Sequence, residues 1–210
     1  MSDAWRQRWQ EGRIGFHRDA PHPALIEHWQ ALGSAPNAKV LVPLCGKSLD
    51  MRWLASQGHP VLGIEFVFEA VEAFLAASPA PVSRYVEPDF TIFRQGAVEV
   101  WHGDFFHLHL PQAAEIGAFY DRAALVALPT ATRQRYAFHL AQLTPPGAKG
   151  LLVTLTHDQG DQGPPYSVDD AEVARLLAPN FRLEKLATSA PDERGRGESV
   201  WALERRGPRC

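Results

Sequence analysis

The chain has 210 residues, 45% of them hydrophobic, and its 21 Lys and Arg against 24 Asp and Glu leave a formal charge of −3. That is enough apolar material for the core of one domain, and it excludes wholesale disorder and low-complexity classes. The near-neutral balance argues against a nucleic-acid partner, because phosphate-backbone binding goes with a basic excess.

No apolar run reaches the ~18 residues of a membrane span, so no membrane contact is expected. The start, MSDAWRQRWQEG, lacks the apolar core of an export signal. Two cysteines, Cys45 and Cys210, make neither a disulfide framework nor a cysteine zinc site. The expectation is a cytoplasmic protein.

Residues 3–11 read as a short helix with Trp5 and Trp9 on one face at i, i+4 spacing. His22 to Leu32 reads as a second amphipathic helix, ended by Gly33 and Pro36. The pattern then changes to alternating elements. Lys39–Leu44 is a strand buried on both faces, and Ser48–Gln57 a helix. Pro60–Glu65 and Val67–Ala77 repeat the pair. Phe90–Arg94 and Val98–His102 flank Gln95-Gly96 as a hairpin. Ile116–Tyr120, Thr130–Leu143, Gly150–Thr156 and Val168–Leu177 follow as strand, helix, strand and helix, and Phe181–Ala187 and Ser199–Glu204 close the chain as two strands. Strands alternating with helices predict a doubly wound α/β sheet with an antiparallel edge. The first 38 residues lie outside that alternation and are expected to cap the sheet, since three exposed tryptophans would leave a large apolar patch. Ser78–Asp89 and His157–Ser167 read as long loops of the kind that form lids.

Open α/β sheets bind ligands beyond the carboxyl ends of their strands. The first such end reads Val42-Pro43-Leu44-Cys45-Gly46-Lys47-Ser48. Gly46-Lys47-Ser48 matches the tail of a phosphate loop, but Leu41 stands where that loop needs its first glycine. The dinucleotide G-x-G-x-x-G is absent too, which disfavours a nicotinamide oxidoreductase. A nucleoside without phosphate asks instead for a carboxylate to take two ribose hydroxyls. Glu65 follows Gly46 by 19 positions, near the offset at which such folds place that acid, although a solvated acid ending a strand has the same spacing. Asp104, beside Phe105 and Phe106, suits the edge of a purine or the cap of a turn. Asp121-Arg122 ends the strand IGAFY and points either into the crevice or into an ion pair. The histidine groups 102/107/109 and 17/22/28 lack supporting ligands at metal spacing, so no metal is expected. No G-x-S-x-G elbow supports a hydrolase. Arg205, Arg206 and Arg209 read as a solvated tail.

The segment LVPLCGKSLDMRWLASQGHPVLGIE resembles the cofactor region of the thiopurine S-methyltransferases, bacterial type, whose first loop carries P-L-C-G-K in place of glycines. Four further blocks agree: WxxRWxxGxIGFH at Trp5–His17, GDFF at Gly103–Phe106, YDRAALVALP at Tyr120–Pro129, and GPPYSV at Gly163–Val168. The similarity runs from about residue 5 to about 204.

The resemblance implies a class I S-adenosylmethionine-dependent methyltransferase of Rossmann-like fold. It implies a seven-stranded, mostly parallel sheet with an antiparallel edge in a single domain, 1–38 being the helical cap and 39–206 the α/β core. Trp9, Leu44, Glu65 and Arg122 would contact S-adenosyl-L-methionine and its product S-adenosyl-L-homocysteine, Leu44 through its backbone and Glu65 at the ribose. Asp104 and Phe105 would lie by the adenine. Arg122 would also face the acceptor, together with Arg194 or Arg196 in a stretch compressed relative to the family. Phe66-Val67 replaces the Leu-Ser or Ile-Ser common after the ribose acid. The implied acceptor is a small thiol or selenol, and the implied state a monomer. The alternatives are methylation of a halide or chalcogen species, or a non-catalytic ligand-binding protein that retains the crevice. If a general base exists, His17 and His157 are its sequence candidates.

Overall fold

The computed structural model describes residues 3–15, 17–159 and 162–207. Phe16, Gly160, Asp161, Arg209 and Cys210, which the sequence reading includes, lie outside the described residues.

Among the described residues nine strands form one sheet: β1 (Lys39–Pro43), β2 (Val61–Glu65), β3 (Ser83–Val86), β4 (Thr91–Gln95), β5 (Val98–His102), β6 (Ile116–Arg122), β7 (Lys149–Thr156), β8 (Phe181–Thr188) and β9 (Gly197–Arg205). Their order is β3-β4-β5-β2-β1-β6-β7-β9-β8. The central five, from β5 to β7, are parallel, and an antiparallel pair flanks each side. Strand order reverses direction at β1, between β2 and β6. The carboxyl ends of these strands therefore open a crevice at the switch point.

The described residues also form six α-helices: α1 (Asp3–Gln10), α2 (Pro23–His28), α3 (Asp50–Ser56), α4 (Phe68–Ala76), α5 (Thr130–Leu143) and α6 (Asp170–Leu177). One face of the sheet packs Leu41, Leu62 and Phe119 against Tyr136, Leu140 and Leu176 of α5 and α6. The other packs Val40, Val42 and Val100 against Met51, Leu54 and Phe74 of α3 and α4. Gly63 makes that second face possible: a Cβ there would stand 2.6 Å from Met51 Sδ and 2.8 Å from Cys45 Sγ. The glycine lets α3 and the Cys45 turn seat directly on β2.

Three expectations need correction. The sheet has nine strands, not seven. Eight of the nine match strand segments expected along the chain, and the ninth is β3, within the segment read as the loop Ser78–Asp89; it pairs with β4 from Ser83↔Arg94 to Val86↔Thr91. All four of its residues are exposed, so no alternation of burial marked it in the sequence. The helix over His22–Leu32 stops at His28 and continues as a 3-10 turn at Gln30–Leu32. Trp29, buried at the break, donates its indole N–H to His59 Nε2 at 3.1 Å, a tertiary bond that fixes the chain's exit. Leu25 and Trp29 belong to the second core face, so α2 is docked on the sheet.

Candidate functional site

The turn after β1 holds the first structural surprise. Leu44 has φ +49°, the left-handed region that L side chains avoid. Ala123, at the corresponding end of neighbouring β6, has φ +73°. Both line one cavity, of about 740 Å³ of empty space counted to its open mouth. Two non-glycine residues strained at one crevice mark a site where backbone placement takes precedence over local energy.

The acid sits at the back of that cavity. Glu65 is 6% exposed, and its carboxylate accepts from Gly46 N–H through Oε2 and from Val67 N–H through Oε1, each at 2.7 Å. These bonds use two of the roughly four lone-pair sites on the carboxylate. Burial raises the Glu65 pKa to about 6, against the three backbone N–H groups that pull it down. Cys45, in the same wall, has its thiol pushed well up by burial and then by Glu65, so it is an inert wall group.

Trp5 and Trp9 of α1 both line the cavity, which gives their shared face its purpose. A Cβ on Gly46, whose φ is +55°, would come within 3.6 Å of Trp9 Cζ2, so α1 rests directly over the P-L-C-G-K turn. Arg6 stacks on Phe66 with 4.3 Å to the ring centroid, and Arg8 Nη2 donates to the Gly163 carbonyl at 3.4 Å. Through Arg8 the helical cover meets the His157–Ser167 loop, whose Pro165 also faces the cavity. Tyr166 N–H donates to the Val126 carbonyl at 2.7 Å and anchors that loop's far end.

Arg122 is the hinge between two clefts. It lines the cavity holding Glu65 and also a second, more open cleft lined by His17, Arg18, Asp192, Arg196 and Glu198. Its neighbour Asp121 supports it from below. Buried at 1% exposure, Asp121 accepts from the Ala124 and Leu125 N–H groups at 3.2 Å each and from the Tyr136 hydroxyl at 2.6 Å. Burial raises its pKa to about 6, opposed by those three donors. Asp121 thus fixes the Ala123 turn, and with it the direction in which Arg122 leaves the sheet.

The other sequence-derived residues divide. Asp104 caps a 3-10 turn, accepting from Phe106 N–H at 3.0 Å, one residue past Gly103, whose N–H bonds the Glu65 carbonyl at 2.9 Å. It stands at the rim beside β2 rather than in the cavity wall. Phe105 is fully buried and packs edge-on against His139 at 5.0 Å between ring centroids; the structure places it in the core, not on the cavity surface. Of the two late arginines, Arg196 lines the second cleft, held to Asp192 at 2.9 Å. Arg194 lines an adjoining groove with Arg8 and His157, which Arg196 borders too, and does not line the second cleft. His157 has both ring nitrogens engaged within its own loop, Nε2 with the Pro165 carbonyl at 3.0 Å and Nδ1 with Gln159 N–H at 3.3 Å. His17 lines both clefts, and burial, then the charge on Lys47, lowers its pKa. Ala123 and Glu198 escaped the sequence reading: an alanine carries no mark of a left-handed turn, and Glu198 looks like any acid entering a strand. Among the described residues there is no His, Cys, Asp or Glu group able to hold a metal, and no helix is long and apolar enough to cross a membrane.

Known proteins place this arrangement. Among solved structures, a Burkholderia thailandensis 1,6-didemethyltoxoflavin-N1-methyltransferase with bound S-adenosylhomocysteine superposes with a TM-score of 0.69 at 16% identity, covering 98% of this chain and 87% of that one. A Methanosarcina mazei S-adenosylmethionine-dependent methyltransferase gives 0.64 at 16%, over 89% of this chain and 99% of that one. The fold is therefore that of the S-adenosylmethionine-dependent methyltransferases. A thiopurine S-methyltransferase of Pseudomonas fluorescens is 49% identical over 183 residues, covering 87% of this chain and 84% of its own. One from Azotobacter vinelandii is 45% identical over 97% of this chain and 99% of its own. The model of the family Thiopurine S-methyltransferase (TPMT) matches residues 1–206. With 45–49% identity over nearly the whole chain, the protein belongs to the thiopurine S-methyltransferase family of S-adenosylmethionine-dependent methyltransferases.

Proposed function

We propose that this protein methylates the sulfur of aromatic or heterocyclic thiols, thiopurines among them, with S-adenosyl-L-methionine as the methyl donor. One observation carries the reading: Arg122 borders both the cavity that holds Glu65 and the open cleft beside it, so one side chain serves a donor and an acceptor held next to each other.

The first cavity suits the donor by its chemistry. Glu65 offers a buried carboxylate to a ribose diol, the left-handed Leu44 turn offers backbone groups, and Trp9 covers the apolar surface. The bound donor supplies a methyl group already activated on a sulfonium. The residues of the chain therefore have mainly to align the incoming sulfur and exclude water, and alignment of this kind is worth about 7–11 kcal/mol. Arg122 would favour the anionic form of a thiol by its charge. Arg196 is the second arginine of the acceptor cleft, in preference to Arg194. Asp104, at the rim beside β2, remains the adenine-side acid of this reading. The proposed enzyme is a monomer, as the family resemblance implies, and works in the cytoplasm.

The test is transfer of labelled methyl from the donor to a panel of arenethiols, thiopurines, selenols, tellurium species and halides. Label on thiols supports the proposal, and label on selenols or tellurium species besides extends it. Label on halides alone replaces it. Tight binding of S-adenosylhomocysteine without transfer to any acceptor makes the protein a ligand-binding module.

A further inference from the structure

Among the described residues, Glu198 is the one acid of the acceptor cleft that the reaction as described leaves unused and that is not already spent on a neighbouring arginine. It enters β9 beside Leu155 and lines the cleft with Arg122. Beneath it lies a buried polar stack. His22 and Asp50 are 3% and 2% exposed. The Asp50 carboxylate accepts from His22 backbone N–H at 2.7 Å and from the Tyr120 hydroxyl at 3.0 Å. His22 Nδ1 accepts from Ala24 N–H at 3.2 Å, which puts the imidazole proton on Nε2. Among the described residues Nε2 is buried without a hydrogen-bond partner, and it lies 3.3 Å from Glu198 Oε2, within ion-pair distance. Glu198 Oε2 thus sits beside the His22 imidazole, and the partly exposed side chain lines the cleft.

An anionic group here is at odds with a cleft built to hold thiolates alone, because it repels them. It agrees with an acceptor that presents sulfur and a proton donor side by side. We propose, resting on the methyltransferase reading above, that Glu198 is the proton acceptor for heteroaromatic thiones carrying N–H next to C=S, and that His22 is its positioning residue. The sulfur of such a neutral thione takes the methyl group, forming S–CH3, while the bond from methyl to the donor sulfonium breaks and leaves its electron pair on the departing thioether. The acceptor now carries the positive charge, which makes its ring N–H strongly acidic. That proton passes to the Glu198 carboxylate, the nitrogen keeps the bonding pair, and the neutral aromatic thioether leaves. Glu198 returns the proton to water through the open cleft. A carboxylate of ordinary or low basicity suffices, since the proton is lost only after it has become acidic. This fits a Glu198 held below the usual range by the adjacent His22 imidazole and by the nearby charges of Arg122 and Arg18. The cleft's other acid, Asp192, is already taken by Arg196, and His17 is disfavoured as an acceptor by burial.

The experiment compares Glu198→Gln with the wild-type chain on two probes, 2-thiopyridone, a ring thione with N–H, and 4-nitrothiophenol, a thiolate at neutral pH. The expected result is opposite signs: kcat/KM falls at least tenfold for the thione and rises for the thiolate, from which a repelling charge has been removed. A smaller fall with the thione, or a fall with both probes, overturns the proposal. His22→Asn, which keeps a capping side chain at the start of α2 but is too short to reach Glu198, is expected to lower kcat for the thione with less than twofold change in its KM. A raised KM with kcat unchanged overturns the role given to His22. Calorimetric binding of S-adenosylhomocysteine to the wild-type chain reads the donor cavity separately. Its absence overturns the methyltransferase reading and this inference with it, whereas binding together with same-sign effects overturns Glu198 alone.

Discussion

Gly46 and Glu65 are 19 residues apart in sequence, and the Gly46 N–H lies 2.7 Å from Glu65 Oε2. The turn that replaces a glycine-rich loop is thus tied to the acid that would receive the ribose, and the acid is oriented before any ligand arrives. Recognition of two hydroxyls needs the ionised carboxylate, which only accepts. Burial holds the Glu65 pKa at about 6 in the free protein. A ligand that selects the ionised form lowers that pKa on binding, so protons compete with it as pH falls. S-adenosylhomocysteine affinity is expected to level off above pH 7 and to weaken toward tenfold per unit below 6. Glu65→Gln is expected to remove this pH dependence and to weaken binding at pH 7.5 by about 1.5–3 kcal/mol, the range for a hydrogen bond to a charged group. Calorimetry at pH 7.5, 6 and 5 checks both, and a pH-independent wild-type affinity contradicts the assignment.

Arg122 is expected to show its planar fork as well as its charge. Arg122→Lys keeps the charge and should lose about tenfold in kcat/KM, while Arg122→Met should lose about a hundredfold or more. Across a series of arenethiols, the wild-type rate should rise along each acceptor's own ionisation. A single inflection shared by every acceptor and abolished in His17→Asn would instead mean that an imidazole takes the proton.

The central alternation of strands and helices was legible because β1 and β2 are buried on both faces and read as unbroken apolar runs. The fully exposed β3 was not, since pairing at a solvated edge leaves no pattern in side chains. At the site, Glu65 was visible through its spacing from Gly46, and Trp5 with Trp9 through their helical period. Arg122 was visible as a charge ending the strand IGAFY with two possible readings, Leu44 took its role only through family blocks, and nothing marked the left-handed turn at Ala123. Phe105 illustrates a motif with two readings: an acid beside aromatics suits a purine edge or the cap of a turn, and here Asp104 caps a turn and the ring is fully buried among Tyr136, Phe106 and His139. Glu198 and His22, 176 positions apart, meet only because β9 returns alongside β7 and α2 docks across the same sheet face.

The Asp121 support under Arg122 has a pH signature. Its pKa of about 6 exceeds the ~3.9 of an unfolded Asp, so the native chain binds that proton more tightly than the unfolded one does. The charge on Asp121 therefore costs stability in full above pH 6, and the cost fades as pH falls toward 4. Tyr136 donates to the charged form, so Tyr136→Phe is expected to destabilise the chain by about 1.5–3 kcal/mol at pH 8 and by distinctly less at pH 5. Urea unfolding at the two pH values measures this. An equal loss at both would mean that Tyr136 acts by packing alone.

The last prediction concerns α1, whose Trp9 lies over the Gly46 turn. An amphipathic helix of eight residues is too short to be stable by itself, so it depends on the surface it covers. Filling the cavity extends that surface, and hydrogen exchange over residues 5–15 is expected to slow when S-adenosylhomocysteine binds. Trp9→Ala should weaken binding by about 1–2 kcal/mol through lost apolar cover. Gly46→Ala separates cover from backbone. Its new methyl would stand at ordinary contact distance from Trp9, so the expected penalty of about 1–2 kcal/mol comes from the φ of +55° and appears in the unliganded protein's stability too. If protection over residues 5–15 is the same with and without ligand, α1 is a fixed wall of the cavity. The loss in Trp9→Ala then measures contact with the ligand alone, with no ordering of the helix included.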